Sequence, residues 1–139
     1  MTQTPTTKAA QAASPLELLS PFVPVPAIYI DQVMPTLSDS EWRILCVIIR
    51  QTLGWVDEES TSGRKERDWI TQSQFREKTG GKSRDSISLG IASLVKRGLI
   101  VVENREGKLL STPKSRQTNR DRLYFRLVPI EELERENPS

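Results

Sequence analysis

Residues 71–100 read TQSQFREKTGGKSRDSISLGIASLVKRGLI, and this stretch decides the fold. A capping-box pattern at Thr71 opens a short helix, which the glycine pair Gly80-Gly81 ends. Ser83 then caps a longer helix, whose apolar residues recur at helical spacing until Gly98 stops it. The stretch therefore predicts two helices joined by a tight glycine turn.

The letters Gly81-Lys82-Ser83 also end a phosphate-binding P-loop, which is the competing interpretation of the turn. A Walker A element requires a glycine five positions before Gly81, and this chain has Arg76 there. The element also needs a preceding strand, whereas a capped helical segment precedes this turn. No apolar strand ending in Asp follows it to hold magnesium. We therefore predict no NTPase site and no enzyme activity, and we assign the glycines to turn geometry.

The composition argues against several other kinds of site. The chain has 139 residues, which is room for one domain of roughly 100 residues plus tails. It contains no histidine and one cysteine, Cys46, so it forms no internal disulfide and lacks the usual zinc ligands and histidine-based catalysis. We expect no catalytic residue, no metal and no cofactor. The longest apolar run, Ile44 to Ile49, is far shorter than the roughly 20 residues that cross a bilayer. We expect no membrane contact and a cytoplasmic, nucleoid-associated protein.

The chain divides into four segments. Residues 1–20 are rich in Thr, Ala, Gln and Pro and predict a disordered tail. Residues 21–37 carry three early prolines, which predict an extended arm anchored by apolar side chains such as Tyr29. Residues 38–128 are the folded domain, and residues 129–139 are an acidic tail of about one helical turn.

Two further elements complete the domain. Ser38 opens a capping-box pattern that predicts a helix over about residues 39–52. Residues 99–103 and 123–128 are β-rich, and we predict that they pair as a hairpin joined by the long basic loop 104–122. The fold class is α+β, mainly α: a winged helix-turn-helix with three helices plus a C-terminal β-hairpin wing. In this fold the third helix enters the major groove of DNA, and the wing lies along the backbone or the minor groove.

Positive charge is concentrated in the carboxyl-terminal half. From Lys82 to Arg126 the sequence holds eleven basic and four acidic side chains, a net charge of +7, although the whole chain carries only +2. A basic face of this kind suits a polyanionic partner, and we predict double-stranded DNA. A solvated surface with no partner is the alternative.

Helical geometry selects the candidate DNA contacts. If the inward face of the third helix consists of Ile87, Ile91, Leu94 and Val95, the opposite face and the helix start are free for DNA. The candidates on or next to this helix are Lys82, Ser83, Arg84, Ser86, Leu89, Ser93 and Lys96. The candidates in the wing are its basic residues Arg105, Lys108, Lys114, Arg116, Arg120 and Arg122. We expect phosphate or guanine contacts from the helix cations and phosphate contacts from the wing.

A family resemblance adds to this pattern. The proline-rich stretch VPVPAIYIDQVMPTLSDSEW is followed by the helix WRILCVIIRQTLGW, which contains Arg50, Thr52, Gly54 and Trp55, and then by the helix-turn-helix stretch. From about Val23 to Val128 the chain resembles the amino-terminal, origin-binding winged-helix domain of the lambdoid phage replication protein O and related replication initiators. The RQT-x-GW motif combined with the helix-turn-helix pattern carries the resemblance.

The resemblance implies binding to repeated origin sequences, often as a homodimer. It also implies contact with a helicase or helicase loader through a separate carboxyl-terminal region, which this sequence lacks. The chain departs from the family at Asp85 and Leu89, where related proteins commonly carry Arg or Lys.

Two alternatives to replication initiation stay open. A transcriptional regulator on the same fold would present the same residues to DNA. A winged helix that serves as a protein-protein interaction module without nucleic acid would keep its partner after loss of the wing cations.

Overall fold

The computed structural model describes residues 21–136, so the predicted tail 1–20 and the last three residues lie outside the described part. The described chain is about half helical and carries a small three-stranded antiparallel sheet, a mixed α and β fold compatible with the predicted α+β class. Its main elements are α1 (Asp39–Thr52), β1 (Asp68–Trp69), α2 (Gln72–Lys78), α3 (Arg84–Lys96), β2 (Ile100–Glu103), α4 (Pro113–Thr118), β3 (Tyr124–Leu127) and α5 (Ile130–Glu136).

The three predicted helices are confirmed, and side-chain caps fix where each begins. The Ser38 hydroxyl accepts a hydrogen bond from the Glu41 amide at 3.2 Å, and the Glu41 carboxylate accepts one from the Ser38 amide at 2.8 Å. Thr71 caps α2 in the same reciprocal way, and the Ser83 hydroxyl caps α3. These bonds satisfy backbone N–H groups that have no partner within the first turn of a helix.

The glycine turn between α2 and α3 has the geometry that the sequence predicts. Gly80 and Gly81 have φ angles of +83° and +93°, a conformation that L side chains rarely adopt. The Arg43 guanidinium of α1 donates to the Thr79 carbonyl at 2.7 Å and holds the end of α2 against the domain. The pair therefore serves chain reversal, as expected.

The predicted pairing of the two β-rich segments is confirmed. In the antiparallel β2–β3 pair, Val102 lies opposite Phe125 and Glu103 lies opposite Tyr124. The sequence analysis missed β1, which pairs with the other edge of β3 and gives the order β1-β3-β2. Two residues are too short to show the alternation that marks a strand.

The core lies between α1, α3 and the inner face of the sheet. Ile44, Leu45 and Ile48 of α1 are fully buried. Phe75 of α2 meets Phe125 of β3 edge to face, with ring centroids 5.1 Å apart. Helix α3 approaches α1 closely at Gly90, where an added Cβ would lie 2.3 Å from the Ile44 Cδ1 atom.

The predicted arm at 21–37 is wrong over its second half. Residues 21–26 are non-helical, as their prolines require, but a π-helical segment at Tyr29–Val33 and a 3-10 turn at Met34–Thr36 follow. The Tyr29 amide donates to the Pro26 carbonyl, so the helical path begins directly after the last of the early prolines. Tyr29 itself is buried in the core, as predicted.

Two segments are more helical than predicted. The loop 104–122 contains α4, which Thr112 caps and which begins at Pro113, a residue suited to a first helical position. The acidic segment after residue 128 forms the seven-residue α5, and its Leu133 is only 1% exposed. This segment is therefore packed on the domain instead of forming a separate tail.

Candidate nucleic-acid interface

The outward face of α3 is defined by its exposed residues Asp85, Ser88, Leu89 and Lys96. The buried face contains Gly90 in addition to the predicted Ile87, Ile91 and Leu94, whereas Val95 is only partly buried. Because Gly90 has no side chain, α3 comes close to Ile44 there. The inward direction of the helix thus differs from the predicted one by roughly a third of the ~100° that separate successive residues around the helix axis.

This rotation changes which serines are available to a ligand. Ser93 is turned toward α1, where its hydroxyl donates to the Glu41 carboxylate, so the prediction that it lies on the outward face is wrong. This bond, together with those from Ser38, holds the pKa of Glu41 below its ordinary value. Arg97 lies 3.8 Å from the same carboxylate. Ser93 is therefore a link between two helices.

The two serines at the start of α3 are occupied by the helix cap. The Ser83 hydroxyl accepts from the Ser86 amide and donates to the Ser86 hydroxyl, both at 3.1 Å. Ser83 is exposed and Ser86 is half-buried. Both residues therefore position the first turn of α3.

Ser88 is a candidate that the sequence analysis missed. It is exposed on the outward face, and its hydroxyl accepts a hydrogen bond from the Gln72 Nε2 atom of α2 at 3.1 Å. The Gln72 Oε1 atom is buried and has no hydrogen-bond partner within the described residues. Ser88 can be recognised as an outward-facing residue only when Gly90 is counted as a core position.

The cations of α3 are free of intramolecular partners. No hydrogen bond or ion pair within residues 21–136 involves the side chains of Lys82, Arg84 or Lys96. Lys82 and Arg84 flank the helix cap, where the N-terminal end of the helix dipole favours an anion. Leu89 is 72% exposed on the same face.

The six predicted wing residues fall into two groups. Lys108, Lys114 and Arg120 are exposed, and their side chains make no hydrogen bond or ion pair in the described part of the chain. Arg122 is exposed and stacks on Trp69. These four cations are available to a polyanion.

The other two wing residues have intramolecular partners. Arg105 pairs with Asp121 at 3.2 Å on the surface. Arg116 donates to the Leu110 carbonyl at 2.9 Å, and burial lowers the pKa of this guanidinium from its ordinary value. Arg116 ties α4 to the segment that follows β2, so its guanidinium already has an intramolecular partner.

A short chain of contacts connects α3 to the start of β3. Gln72 reaches Ser88 on α3, while the Ile70 amide donates to the Leu123 carbonyl at 3.3 Å. Ile70 and Gln72 are two residues apart, a span of about 7 Å at most. Residues 70–72 therefore connect α3 to the segment that carries Arg122.

A second charged cluster lies on the outer face of the sheet. Glu103 is 6% exposed and pairs with Arg67 at 3.4 Å and with Arg126 at 3.5 Å. This cluster borders a groove of about 740 Å³ between Pro26, Thr52 and Ile130. Its two arginines share one buried carboxylate, which distinguishes them from the unpaired cations of α3 and the wing.

Residues 21–136 contain no group of three His, Cys, Asp or Glu side chains placed to hold a metal ion. Over the same range, no helix combines the length and apolarity that a bilayer crossing requires. Comparison of the chain with models of protein families, with curated proteins and with solved structures found no match in any of the three.

Proposed function

We propose that the chain is a winged helix that binds double-stranded DNA sequence-specifically, with α3 in the major groove and the wing segment 104–122 along the backbone. The observation that carries the proposal is the set of unpaired cations at the start of α3 and in the wing. The contacts through residues 70–72 connect the elements that carry them. The order of three helices and then the β2–β3 pair, with β1 before α2 and α4 between the paired strands, supports a winged helix.

The start and the outward face of α3 supply the base contacts in this proposal. Arg84 pairs with guanine in a bidentate manner, a contact that discriminates by about 1–3 kcal/mol. Ser88 is short enough to allow close approach of the helix to the groove floor. The Gln72 side chain, which hydrogen-bonds to Ser88, adds a second polar group at this position. Leu89 meets a thymine methyl group or a second copy of the chain, because its side chain is 72% exposed.

The wing supplies phosphate contacts through Lys108, Lys114, Arg120 and Arg122. Each phosphate that a cation neutralises steepens the dependence of log K on log salt by about 0.9. Four wing contacts together with Lys82 therefore give a slope of about −4.5. Arg116 is omitted from this sum because its guanidinium is held by a backbone carbonyl.

The proposed biological role is the origin-binding part of a replication initiator, acting as a homodimer on repeated sites. The resemblance of residues 23–128 to origin-binding domains supports this role over transcriptional regulation. The exposed Leu89 supports a contact between copies on adjacent repeats. In this family a separate region recruits the helicase or helicase loader, so we assign this contact to none of the residues described above.

Selection from a random pool of DNA duplexes tests the proposal. The expected result is an enriched motif that binds the chain more tightly than a scrambled duplex does, as measured by fluorescence anisotropy across a salt series. The double variant Lys82→Ala, Arg84→Ala should lower the salt slope by about 0.9 through loss of the Lys82 phosphate contact, and should reduce the preference for the selected duplex through loss of the Arg84 guanine contact. The matched control is Arg135→Ala on the acidic helix α5, which should leave both quantities unchanged.

Other outcomes separate the alternatives. An unenriched pool with feeble binding at physiological salt would contradict DNA recognition and favour a protein-protein interaction module. A single enriched operator, with no repeated arrangement and no captured helicase or loader, would favour a transcriptional regulator over an initiator.

A further inference from the structure

Arg122 and Trp69 form a stacked pair at the start of β3. The Arg122 Cζ atom lies 4.1 Å from the centroid of the Trp69 ring. Trp69 is the cross-strand neighbour of Tyr124 and is 36% exposed at the edge strand β1. The Asn119 side-chain amide donates to the Arg122 carbonyl at 3.3 Å, which fixes the backbone that carries the guanidinium. The stack is therefore held from the ring side and from the main chain.

A second stacked arginine on the same sheet shows what is unusual about Arg122. The Arg67 Cζ atom lies 4.2 Å from the Tyr124 ring centroid. Its guanidinium also donates to the Glu103 carboxylate and to two backbone carbonyls, those of Asn104 and Arg105. The Arg122 guanidinium has no hydrogen bond and no ion pair within residues 21–136. Arg67 is thus a structural brace, whereas the N–H donors of Arg122 are unused.

We infer that Trp69 is a positioning residue for DNA, which packs against the Arg122 guanidinium and presents its unused N–H donors to a backbone phosphate beside α3. The inference rests on the proposed function and identifies one of its contacts. A guanidinium carries its donors in the plane of the group, so stacking of one face leaves the whole fork free for two oxygens of a phosphate. Pre-orientation matters because a free arginine side chain loses rotamer freedom when it binds.

The segment that carries the stack also contacts α3, so we place the phosphate of Arg122 next to the groove that α3 occupies. Trp69 lies three residues before Gln72, whose side chain hydrogen-bonds to Ser88 on the outward face of α3. Arg120, two residues before Arg122, is exposed and has no aromatic ring against it. It is the matched control: a cation of the same type, in the same segment, without a positioning ring.

The test measures affinity and salt slope for four variants on the selected duplex. Arg122→Ala should weaken binding roughly five- to tenfold and lower the salt slope by about 0.9. Trp69→Leu removes no charge, yet it should weaken binding nearly as much and also flatten the slope. Trp69→Tyr, which restores a ring, should recover most of the affinity. The double variant Trp69→Leu, Arg122→Ala should bind no worse than Arg122→Ala alone.

Two further readouts keep the test independent of folding. Arg122→Lys leaves Trp69 and the net charge in place but removes the planar fork. Its loss in log affinity should be at least half of the loss caused by Arg122→Ala. Arg120→Ala should lower the slope by about 0.9 in the wild type and in Trp69→Leu alike. Melting curves exclude variants that fail to fold, and the Arg122→Lys result then decides.

The inference is overturned, with DNA binding intact, if Arg122→Lys binds like wild type. It is also overturned if the losses at Trp69 and Arg122 are additive, because the ring would then contact DNA on its own. Failure of the proposed function is different: the wild-type chain and the Arg135→Ala control would both lack specific binding, and the inference would fall with it.

Discussion

Substitution of Gly90 by alanine tests the packing that orients α3. An added Cβ would lie 2.3 Å from the Ile44 Cδ1 atom, against about 3.5–4.0 Å for an ordinary carbon contact. Overpacking of a buried site costs about 1–3 kcal/mol, and the fully buried Ile44 has little room to move, so we take the upper end of this range. Alanine gains about 1 kcal/mol over glycine in helix propensity. Gly90→Ala should therefore lower the free energy of unfolding by about 2 kcal/mol.

A double-mutant cycle makes this prediction specific. Ile44→Val deletes the Cδ1 methyl group that the new Cβ would strike, and alone it should cost about 1 kcal/mol. Combined with Gly90→Ala, it should give a chain destabilised by about 1 kcal/mol or less, far from the additive value of about 3 kcal/mol. Urea denaturation at constant m-value measures each free energy. A Gly90→Ala chain at least as stable as wild type, or additive losses in the double variant, would refute the proposed contact.

Further predictions concern the interhelical carboxylate and the wing. Hydrogen bonds from Ser93 and Ser38 depress the pKa of Glu41, so this group stabilises the fold above its ordinary pKa of 4.5, and the contribution is lost as pH falls through the depressed value. Acid titration followed by circular dichroism should show a smaller loss of stability for Ser93→Ala than for wild type as the pH falls below 4.5. Lys114→Ala should lower the DNA salt slope by about 0.9 without changing the melting temperature, because its side chain has no partner in residues 21–136. Arg116→Ala should do the reverse, with a lower melting temperature and an unchanged slope, and the opposite pattern in this pair would contradict the roles assigned to them.

The sequence was sufficient for the elements whose signals are local. Ser38, Thr71 and Ser83 each cap a helix at the expected place, and the two glycines of the turn adopt positive φ angles. Pairing of residues 99–103 with 123–128 followed from β propensity and the intervening basic loop. These features depend on neighbours within a few residues, which a single sequence displays.

The missed elements depend on packing between distant residues. Strand β1 is two residues long and exists because β3 offers it an edge. Helix α5 is acidic along most of its length, and its burial rests on Leu133 reaching the core. The turns at 29–36 follow prolines that argue for an extended chain, but burial of Tyr29 and Val33 selects a helical path.

The candidate site was predicted in part for the same reason. Charge counting located the free cations of α3 and of the wing, but it could not separate them from Arg105 and Arg116, which have intramolecular partners. The outward face of α3 was misjudged because glycine contributes nothing to a hydrophobic pattern, although Gly90 is buried. Ser88 replaces Ser93 on that face once the rotation is known.

The central claim is that α3 and the wing contact the same duplex, and amide chemical-shift mapping tests it most directly. On titration with the selected duplex, the amides of Arg84, Ser88 and Leu89 in α3 and those of Arg120 and Arg122 in the wing should shift together and saturate at one stoichiometry. Amides of α5, such as that of Glu134, should stay in place. Shifts confined to one of the two elements, or centred on α5 and the groove beside Ile130, would contradict the account.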